Sequence, residues 1–245
     1  RKNLIINGGF DVWQRGTSFS ANGYTSDRWY MSTNGTMSVA KTWSSDLNMY
    51  YFDASNTVSW GVYQKVEDKN CNHLKTGDTI TISFWSNTAM SIQFGVSSIA
   101  TAVYSTSVID TIGSWSRRSV AITMTSTLIN GIQAGNPIYV EVKPNASGSF
   151  GFTGVQLELG SVATDFEHRS YGEELALCQR YYEVGGYGAW ARVEGSGGFV
   201  VQTEYKVEKR AVPTVIALQT SNVRFREFGV ADRDASTMSL NSTAG

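Results

Sequence analysis

Apolar and polar residues alternate with a period of two along most of the first 168 residues. In residues 79–85, Ile80, Ile82 and Phe84 alternate with polar neighbours, and residues 119–125 and 138–143 repeat this pattern. Such alternation is typical of antiparallel strands that bury one face and leave the other in water. About eight to ten such strands fit into this length, so the pattern predicts an all-β, jelly-roll β-sandwich over residues 1–168.

The alternation changes phase once, within residues 150–159. Phe150 and Phe152 share one phase, whereas Val155 and Leu157 share the other. Gly154 lies at the change, where a β-bulge absorbs one extra residue in a strand. We therefore predict a bulged strand at Gly154.

A helical pattern follows the sandwich. Ser170 and Glu173 have the spacing of a capping box, which begins a helix, and Gly185 and Gly186 end the pattern. We predict one amphipathic helix over residues 171–183, within a connecting segment of residues 169–184. Its apolar stripe, packed against protein, consists of Tyr171, Leu175, Cys178 and Tyr182.

Alternation returns in the C-terminal residues 185–245. Residues 199–208 alternate clearly, and residues 214–218 and 222–228 are further strand candidates. A β unit of this size is marginally stable alone, so we expect it to pack on the sandwich or on copies of itself. We predict a small antiparallel β region that promotes oligomerisation.

The charge balance excludes several classes of protein. The chain has 20 Lys and Arg against 21 Asp and Glu, and neither the sandwich nor the C-terminal part has an excess of one sign. A non-specific nucleic-acid binder needs a basic face, so we expect no nucleic-acid partner. No apolar run approaches the roughly 20 residues of a membrane helix, so we expect no membrane insertion. Because the chain starts at Arg1, we expect further residues before it.

Few residues have the chemistry of a catalytic site. The two histidines, His73 and His168, lie in unrelated contexts, and no nucleophile, zinc or phosphate-loop motif occurs. The two cysteines, Cys71 and Cys178, are too few to staple the chain, and we interpret them as buried or free thiols. We therefore predict a protein that is not an enzyme.

Aromatic side chains on otherwise polar strand faces are the best candidates for ligand binding. An aromatic ring stacks on the apolar face of a sugar, while neighbouring polar groups bind the sugar hydroxyls. The alternative is that a loop, the helix or a neighbouring subunit covers these rings. The candidate ligand-binding residues are Tyr63, Trp85, Tyr139 and Glu141.

A metal site is a further candidate. Small sandwiches hold Ca²⁺ with carboxylate and carbonyl oxygens at one edge. No EF-hand loop is present, and we expect no other cofactor. The oxygens that we consider for a structural Ca²⁺ belong to Asn7, Asp11 and Glu158.

Two stretches of the sequence carry a resemblance. The first comprises residues 3–19, NLIINGGFDVWQRGTSF, and residues 24–29, YTSDRW. The second is residues 153–182, TGVQLELGSVATDFEHRSYGEELALCQRYY. Together they resemble the start and end of a module of bacteriophage and prophage tail-fibre or virion structural proteins, with a carbohydrate-binding-module-like jelly roll. Within the first stretch we expect Phe10, Trp13 and Trp29 in the core, and Asp27 with Arg28 as an ion pair or loop clamp.

The resemblance implies a structural protein of the virion, in the phage tail. It implies a homotrimer that binds other virion tail proteins and mediates host attachment as a receptor-binding component, with a host cell-surface glycan as the expected ligand. Two alternatives remain. One is a purely architectural component, such as a fibre adaptor, baseplate or capsid decoration protein, without its own ligand. The other is a depolymerase acting on capsule or lipopolysaccharide, although the β-helix periodicity typical of those enzymes is absent.

Overall fold

The computed structural model describes residues 2–33, 37–56, 60–96 and 114–184, and in the C-terminal part residues 191–194, 198–201, 205–214, 224–225 and 233–234. The chain forms two compact units, Arg1–Gly188 and Ala189–Gly245. The predicted connecting helix lies within the first unit. The strands of the first unit are β1 (Ser18–Phe19), β2 (Gly23–Tyr24), β3 (Tyr30–Thr33), β4 (Met37–Ser44), β5 (Met49–Asn56), β6 (Trp60–Val66), β7 (Thr79–Ser86), β8 (Met90–Val96), β9 (Ser116–Thr123), β10 (Ile138–Pro144) and β11 (Gly148–Leu159).

These strands form two antiparallel sheets. The first has six strands in the order β1-β4-β5-β11-β7-β9, and the second has five in the order β2-β3-β6-β10-β8. The inward-facing side chains of both sheets form one continuous hydrophobic core. This arrangement confirms the predicted all-β jelly-roll sandwich.

An aromatic cluster occupies the centre of the core. Phe10, Phe52 and Phe152 pack with ring centroids 5.2–5.5 Å apart, and Trp29 lies 5.3 Å from Phe10. Phe10 and Trp29 are fully buried, as expected. Trp13 is only partly buried, and its ring stacks on that of Phe52. These rings join the first sequence stretch to β5 and β11 of the six-stranded sheet.

The predicted β-bulge is confirmed in β11. Its register against β7 shifts between Thr153 and Gln156, and Gly154 has a φ of +61°. Glycine adopts this left-handed conformation without steric cost. The shift keeps Phe152 and Val155 both in the core.

The described residues of the first unit form two α-helices, α1 (Ser126–Gln133) and α2 (Tyr171–Gln179), and a 3₁₀ helix at Asp68–Asn70. The predicted capping box is present at the start of α2, but the helix ends at Gln179, four residues earlier than predicted. The predicted stripe is wrong at Tyr171, which is 61% exposed, and right at Cys178, which is buried; Glu174, outside the predicted stripe, is also buried. Helix α1, which packs Leu128, Ile129 and Ile132 into the core, was not predicted.

The second unit has short antiparallel strands. β12 (Ala191–Glu194) pairs with β13 (Gly198–Val201), and β14 (Arg224–Phe225) pairs with β15 (Arg233–Asp234). The strand predicted over residues 199–208 is present only to residue 201 among the described residues. The candidate at 214–218 lies outside the described residues from 215 onward, as does most of 222–228. No helix in the described part of the chain is long and apolar enough to cross a membrane.

Candidate functional site

Three of the four predicted ligand-binding residues lie together on the outer face of the five-stranded sheet. Tyr63 is on β6, and Tyr139 and Glu141 are on the adjacent β10. Glu141 lies directly opposite Tyr63 in the strand register. The rings of Tyr63 and Tyr139 are in contact, with centroids 4.9 Å apart. Alternation places these side chains outside because their strand neighbours Val62, Gln64, Val140 and Val142 are buried.

Two further tyrosines extend this group across the sheet. Tyr30 on β3 stacks on Tyr63 at 5.1 Å, and Tyr24 on β2 contacts Tyr30 edge-to-face at 5.3 Å. We call Tyr24, Tyr30, Tyr63 and Tyr139 the tyrosine row. Its ring spacing follows from the strand spacing of about 4.8 Å, because each ring stands on a different, neighbouring strand. The row runs perpendicular to the strands, from β2 to β10.

Sequence analysis missed Tyr24 and Tyr30. A signal for Tyr30 was present, because it lies between Trp29 and Met31, both of which are fully buried. A residue between two inward-facing neighbours in a strand points outward. Tyr24 is 47% exposed, which makes it an accessible end of the row.

Glu141 occupies a recess in the sheet next to the row. A Cβ atom at Gly61 would lie only 1.6 Å from Oε1 of Glu141, so the missing side chain of Gly61 makes room for this carboxyl group. Tyr139 shares a hydrogen bond with Glu141. Burial raises the pKa of Glu141, while this hydrogen bond and the charge of Lys143 oppose the rise. Burial also raises the pKa of Tyr139 and of Tyr63, so both phenols are neutral donors at physiological pH.

Trp85 does not belong to this group. It lies on β7 in the other sheet, between Thr153 and Arg117 in the register. A Cβ at Gly154 would lie 3.1 Å from its ring, and Phe166 approaches the same glycine, so Trp85 packs on the bulge of β11 beside the segment that follows β11. Two facing sheets cannot combine their outer faces into one binding surface. The structure therefore places Trp85 apart from the other three candidate residues.

The oxygens considered for Ca²⁺ are used within the protein. Asn7 accepts a hydrogen bond from the Val12 N–H and donates to two carbonyl groups. Glu158 accepts hydrogen bonds from Gln156 and Thr164. Burial raises the pKa of Asp11, with Lys41 and His168 opposing the rise. In the described part of the chain no group of three or more His, Cys, Asp or Glu side chains is placed to hold a metal ion, so the predicted site gains no support.

The two stretches that carry the sequence resemblance lie against each other. Leu4 N–H donates to the Leu157 carbonyl at 2.9 Å, and Val155 N–H donates to the Gly8 carbonyl at 3.0 Å. We call the contact between residues 3–15 and residues 153–182 the motif seam. Cys178 is buried here beside Ile6 and Val12 as a free thiol, and Cys71 is also free and buried, as predicted.

Arg169 is the centre of the motif seam. Its guanidinium binds Glu174 at 3.2 Å and Glu167 at 3.0 Å, and it donates to the Ile5 carbonyl at 3.1 Å. Glu174 also accepts a hydrogen bond from the Asn7 N–H. Burial raises the pKa of Glu174, and the Asn7 N–H and Arg169 oppose the rise. Both side chains of the Arg169–Glu174 pair are only 9% exposed.

Of the two expectations for Asp27 and Arg28, the ion pair between them is wrong, whereas their contacts with other segments fit a loop clamp. Asp27 pairs with Arg15 at 3.1 Å and accepts a hydrogen bond from the Gln14 N–H. Arg28 instead donates to the Lys65 carbonyl and lies 3.5 Å over the ring of Tyr181. Adjacent residues point in different directions here because Arg28 has a φ of +75°.

No protein-family model matches the chain, and no curated protein matches it. Solved structures similar to it include the enzymatically active domain of tailspike protein 4 of bacteriophage CBA120, at 13% identity and a TM-score of 0.40 over 64% of this chain. This chain spans 21% of that tailspike chain. A cyclase from Fischerella sp. TAU aligns at 11% identity and a TM-score of 0.48, covering 67% of this chain and 99% of the cyclase. The CBM22-1 xylan-binding domain from Paenibacillus barcinonensis Xyn10C aligns at 7% identity and a TM-score of 0.41. This alignment covers 66% of this chain and 96% of the xylan-binding domain.

Proposed function

We propose that this chain is a non-enzymatic component of a bacteriophage tail fibre or receptor-binding apparatus, and that its sandwich binds a host-surface glycan. The observation that carries the proposal is the tyrosine row: four rings from four neighbouring strands, in continuous contact, beside a recessed carboxyl group. Contiguous aromatic rings on the outer face of a sheet are typical of a ligand-binding or protein-binding surface.

The chemistry of the row favours a sugar. Tyrosine combines a large apolar surface with a hydroxyl group, and it loses little conformational entropy on binding. Glu141 supplies an acceptor for sugar hydroxyls, and Gln93 lies opposite it on β8 and adds an amide. The near-neutral charge of the chain supports a ligand that is bound by hydroxyl groups and rings rather than by charge.

The virion setting rests on the sequence resemblance of residues 3–29 and 153–182. We propose that the protein acts in the phage tail as a homotrimer, bound to other virion tail proteins, without nucleic acid or membrane partners. The small second unit, with its short strand pairs, is the part that we propose for oligomerisation.

A glycan array of bacterial capsule and lipopolysaccharide oligosaccharides tests the binding proposal. We expect the wild-type chain to bind. Tyr63→Ala is expected to lower the affinity about tenfold or more, because it removes a ring that contacts both Tyr30 and Tyr139. Trp43→Ala is the matched control, because Trp43 is a 50% exposed aromatic residue on the other sheet. Binding that is lost equally in both variants contradicts the proposal, and no binding by any form favours the architectural alternative.

Two further measurements test the remaining parts. Mass photometry of the full chain is expected to give three times the chain mass of 26.8 kDa. A reducing-end assay on the same polysaccharides is expected to show no cleavage. Monomers or cleavage products contradict the homotrimer and the non-enzymatic function, respectively, without affecting the test of the tyrosine row.

A further inference from the structure

The outer face of the six-stranded sheet has a second group of aromatic and acidic side chains. Tyr51 on β5 contacts Trp115 edge-to-face, with ring centroids 5.0 Å apart. Both rings lie over Gly151 of β11, because a Cβ at that position would approach Tyr51 to 2.7 Å and Trp115 to 3.1 Å. The glycine therefore provides a backbone floor under two aromatic rings.

Asp53 lies next to these rings, between small residues. In the strand register it has Ala40 on one side and Gly151 on the other, so neither neighbour has a long side chain that can cover it. Oδ2 of Asp53 accepts a hydrogen bond from Thr42 at 2.9 Å and a long one from the Tyr51 hydroxyl at 3.5 Å. Within the described residues, Oδ1 accepts no hydrogen bond, and it remains available to a ligand.

We propose that Asp53, Thr42, Tyr51, Gly151 and Trp115 form a second carbohydrate site, which binds a single neutral hexopyranose unit. The Tyr51 and Trp115 rings supply an apolar wall for the C–H face of a sugar, and Asp53 accepts from two of its hydroxyl groups. A short aromatic pair offers room for one sugar, in contrast to the four rings of the tyrosine row. An acidic side chain at this position disfavours acidic sugars.

The site is independent of the proposed function of the tyrosine row. The two groups lie on opposite sheets of the sandwich, and no residue belongs to both. A chain with both sites binds two parts of a glycan surface at once. In an oligomer the sites of all subunits act together, which increases the avidity although the contacts at each single site stay the same. Either site can therefore fail its test while the other passes.

The test uses ¹⁹F NMR of the full chain labelled with 5-fluorotryptophan, which reports on all seven tryptophans. Trp115→Phe and Trp43→Phe assign two resonances. The probes are the methyl glycosides of D-glucose, D-galactose and D-mannose, each titrated separately. We expect a saturable shift of the Trp115 resonance with at least one glycoside, and no shift of the exposed Trp43.

Three variants separate this site from the row and from simple unfolding. Asp53→Ala is expected to weaken the Trp115 response by about tenfold, and Asp53→Asn, which keeps the shape, by less. Tyr63→Ala is expected to leave the response unchanged, and unaltered resonances of the tryptophans other than Trp115 show that each variant is folded. No shift with any glycoside, equal shifts of Trp115 and Trp43, or a response that survives Asp53→Ala overturns the proposal.

Discussion

The motif seam and the tyrosine row differ in how the sequence encodes them. The seam is formed by two stretches that are recognisable in the sequence, and its side chains are buried and bound to one another. The row is formed by four residues from four strands, of which only Tyr24 lies in a recognisable stretch, and its rings lie on the outer face of the sheet. The stretch that is easiest to recognise therefore stabilises the fold, whereas the best ligand-binding candidate depends on strand order.

This contrast has a physical reason. A buried network of charges and amides tolerates few substitutions. If a group in it loses its partner, its desolvation is no longer compensated, and the protein is destabilised by that full amount. A sugar-binding face requires only rings and hydrogen-bonding groups at suitable spacing, and several residue types supply them. The contrast predicts that changes in the seam lower stability without altering ligand affinity, and that changes in the row do the reverse.

The largest effect is expected for Arg169→Met. It leaves the buried Glu174 without its cation, and breaking a buried ion pair on one side costs about 3–5 kcal/mol. Chemical denaturation measures the free energy of unfolding. Arg180→Met is the control, since the Arg180 side chain is 37% exposed and lies 3.8 Å from Glu67, and we expect a loss below about 1 kcal/mol. Equal losses in the two variants contradict a central role of Arg169.

Gly8→Ala is the second change in the seam. A Cβ at Gly8 would lie 2.1 Å from the Val155 carbonyl oxygen, so the two segments must separate. We expect a loss of about 1–3 kcal/mol, the usual cost of overpacking. Gly172→Ala is the matched control, because no atom lies within 4 Å of a Cβ at this position in helix α2. It should raise stability by about 0.5–1 kcal/mol, and a Gly8→Ala protein as stable as the wild type is incompatible with close packing of the seam.

Gly61→Ala is the corresponding change in the tyrosine row. The new methyl group takes the place of the Glu141 carboxylate, which is the end of a flexible side chain and moves aside toward solvent. We expect the free energy of unfolding to change by less than about 1 kcal/mol, because no backbone atom is displaced. Affinity for the glycan identified on the array should fall about three- to tenfold. Unchanged affinity together with a large loss of stability reverses the contrast between the two regions.

The sequence predicted local features better than long-range ones. The period-two pattern, the bulge at Gly154 and the capping box at Ser170 are each encoded within about ten neighbouring residues, and all three are present. Strand order is not encoded in this way. The row needs β3 beside β6 and β6 beside β10, and the separation of Trp85 from the other candidate residues could not be predicted because the alternation does not identify the sheet to which a strand belongs.

The same limit explains the other errors. Tyr171 has helical spacing with Leu175 and Cys178, but it is 61% exposed, and α2 packs on Ile6 and Val12 through Leu175 and Cys178. Helix α1 is amphipathic and has Thr125 as its N-cap, but its eight residues are fewer than the roughly 11 over which a helical period is usually recognised. Tertiary contacts therefore account for the exposed Tyr171, whereas the short length of α1 accounts for its omission.

The smallest expected effect concerns the pH dependence contributed by Glu141. Burial raises its pKa in the folded protein, so the folded state binds a proton more tightly than the unfolded state. Stability from this group is therefore fully present below its ordinary pKa of 4.5 and is lost as the pH rises through the higher, folded value.

Glu141→Gln removes this titration. We expect the melting temperature of the wild type, relative to Glu141→Gln, to be higher at pH 4.5 than at pH 7.5 in a thermal scan at constant ionic strength. Because Glu174 and Asp27 are unchanged in both proteins, their own raised pKa values cancel in the difference. A difference that does not vary with pH shows that the recess over Gly61 does not shield the carboxyl group from water.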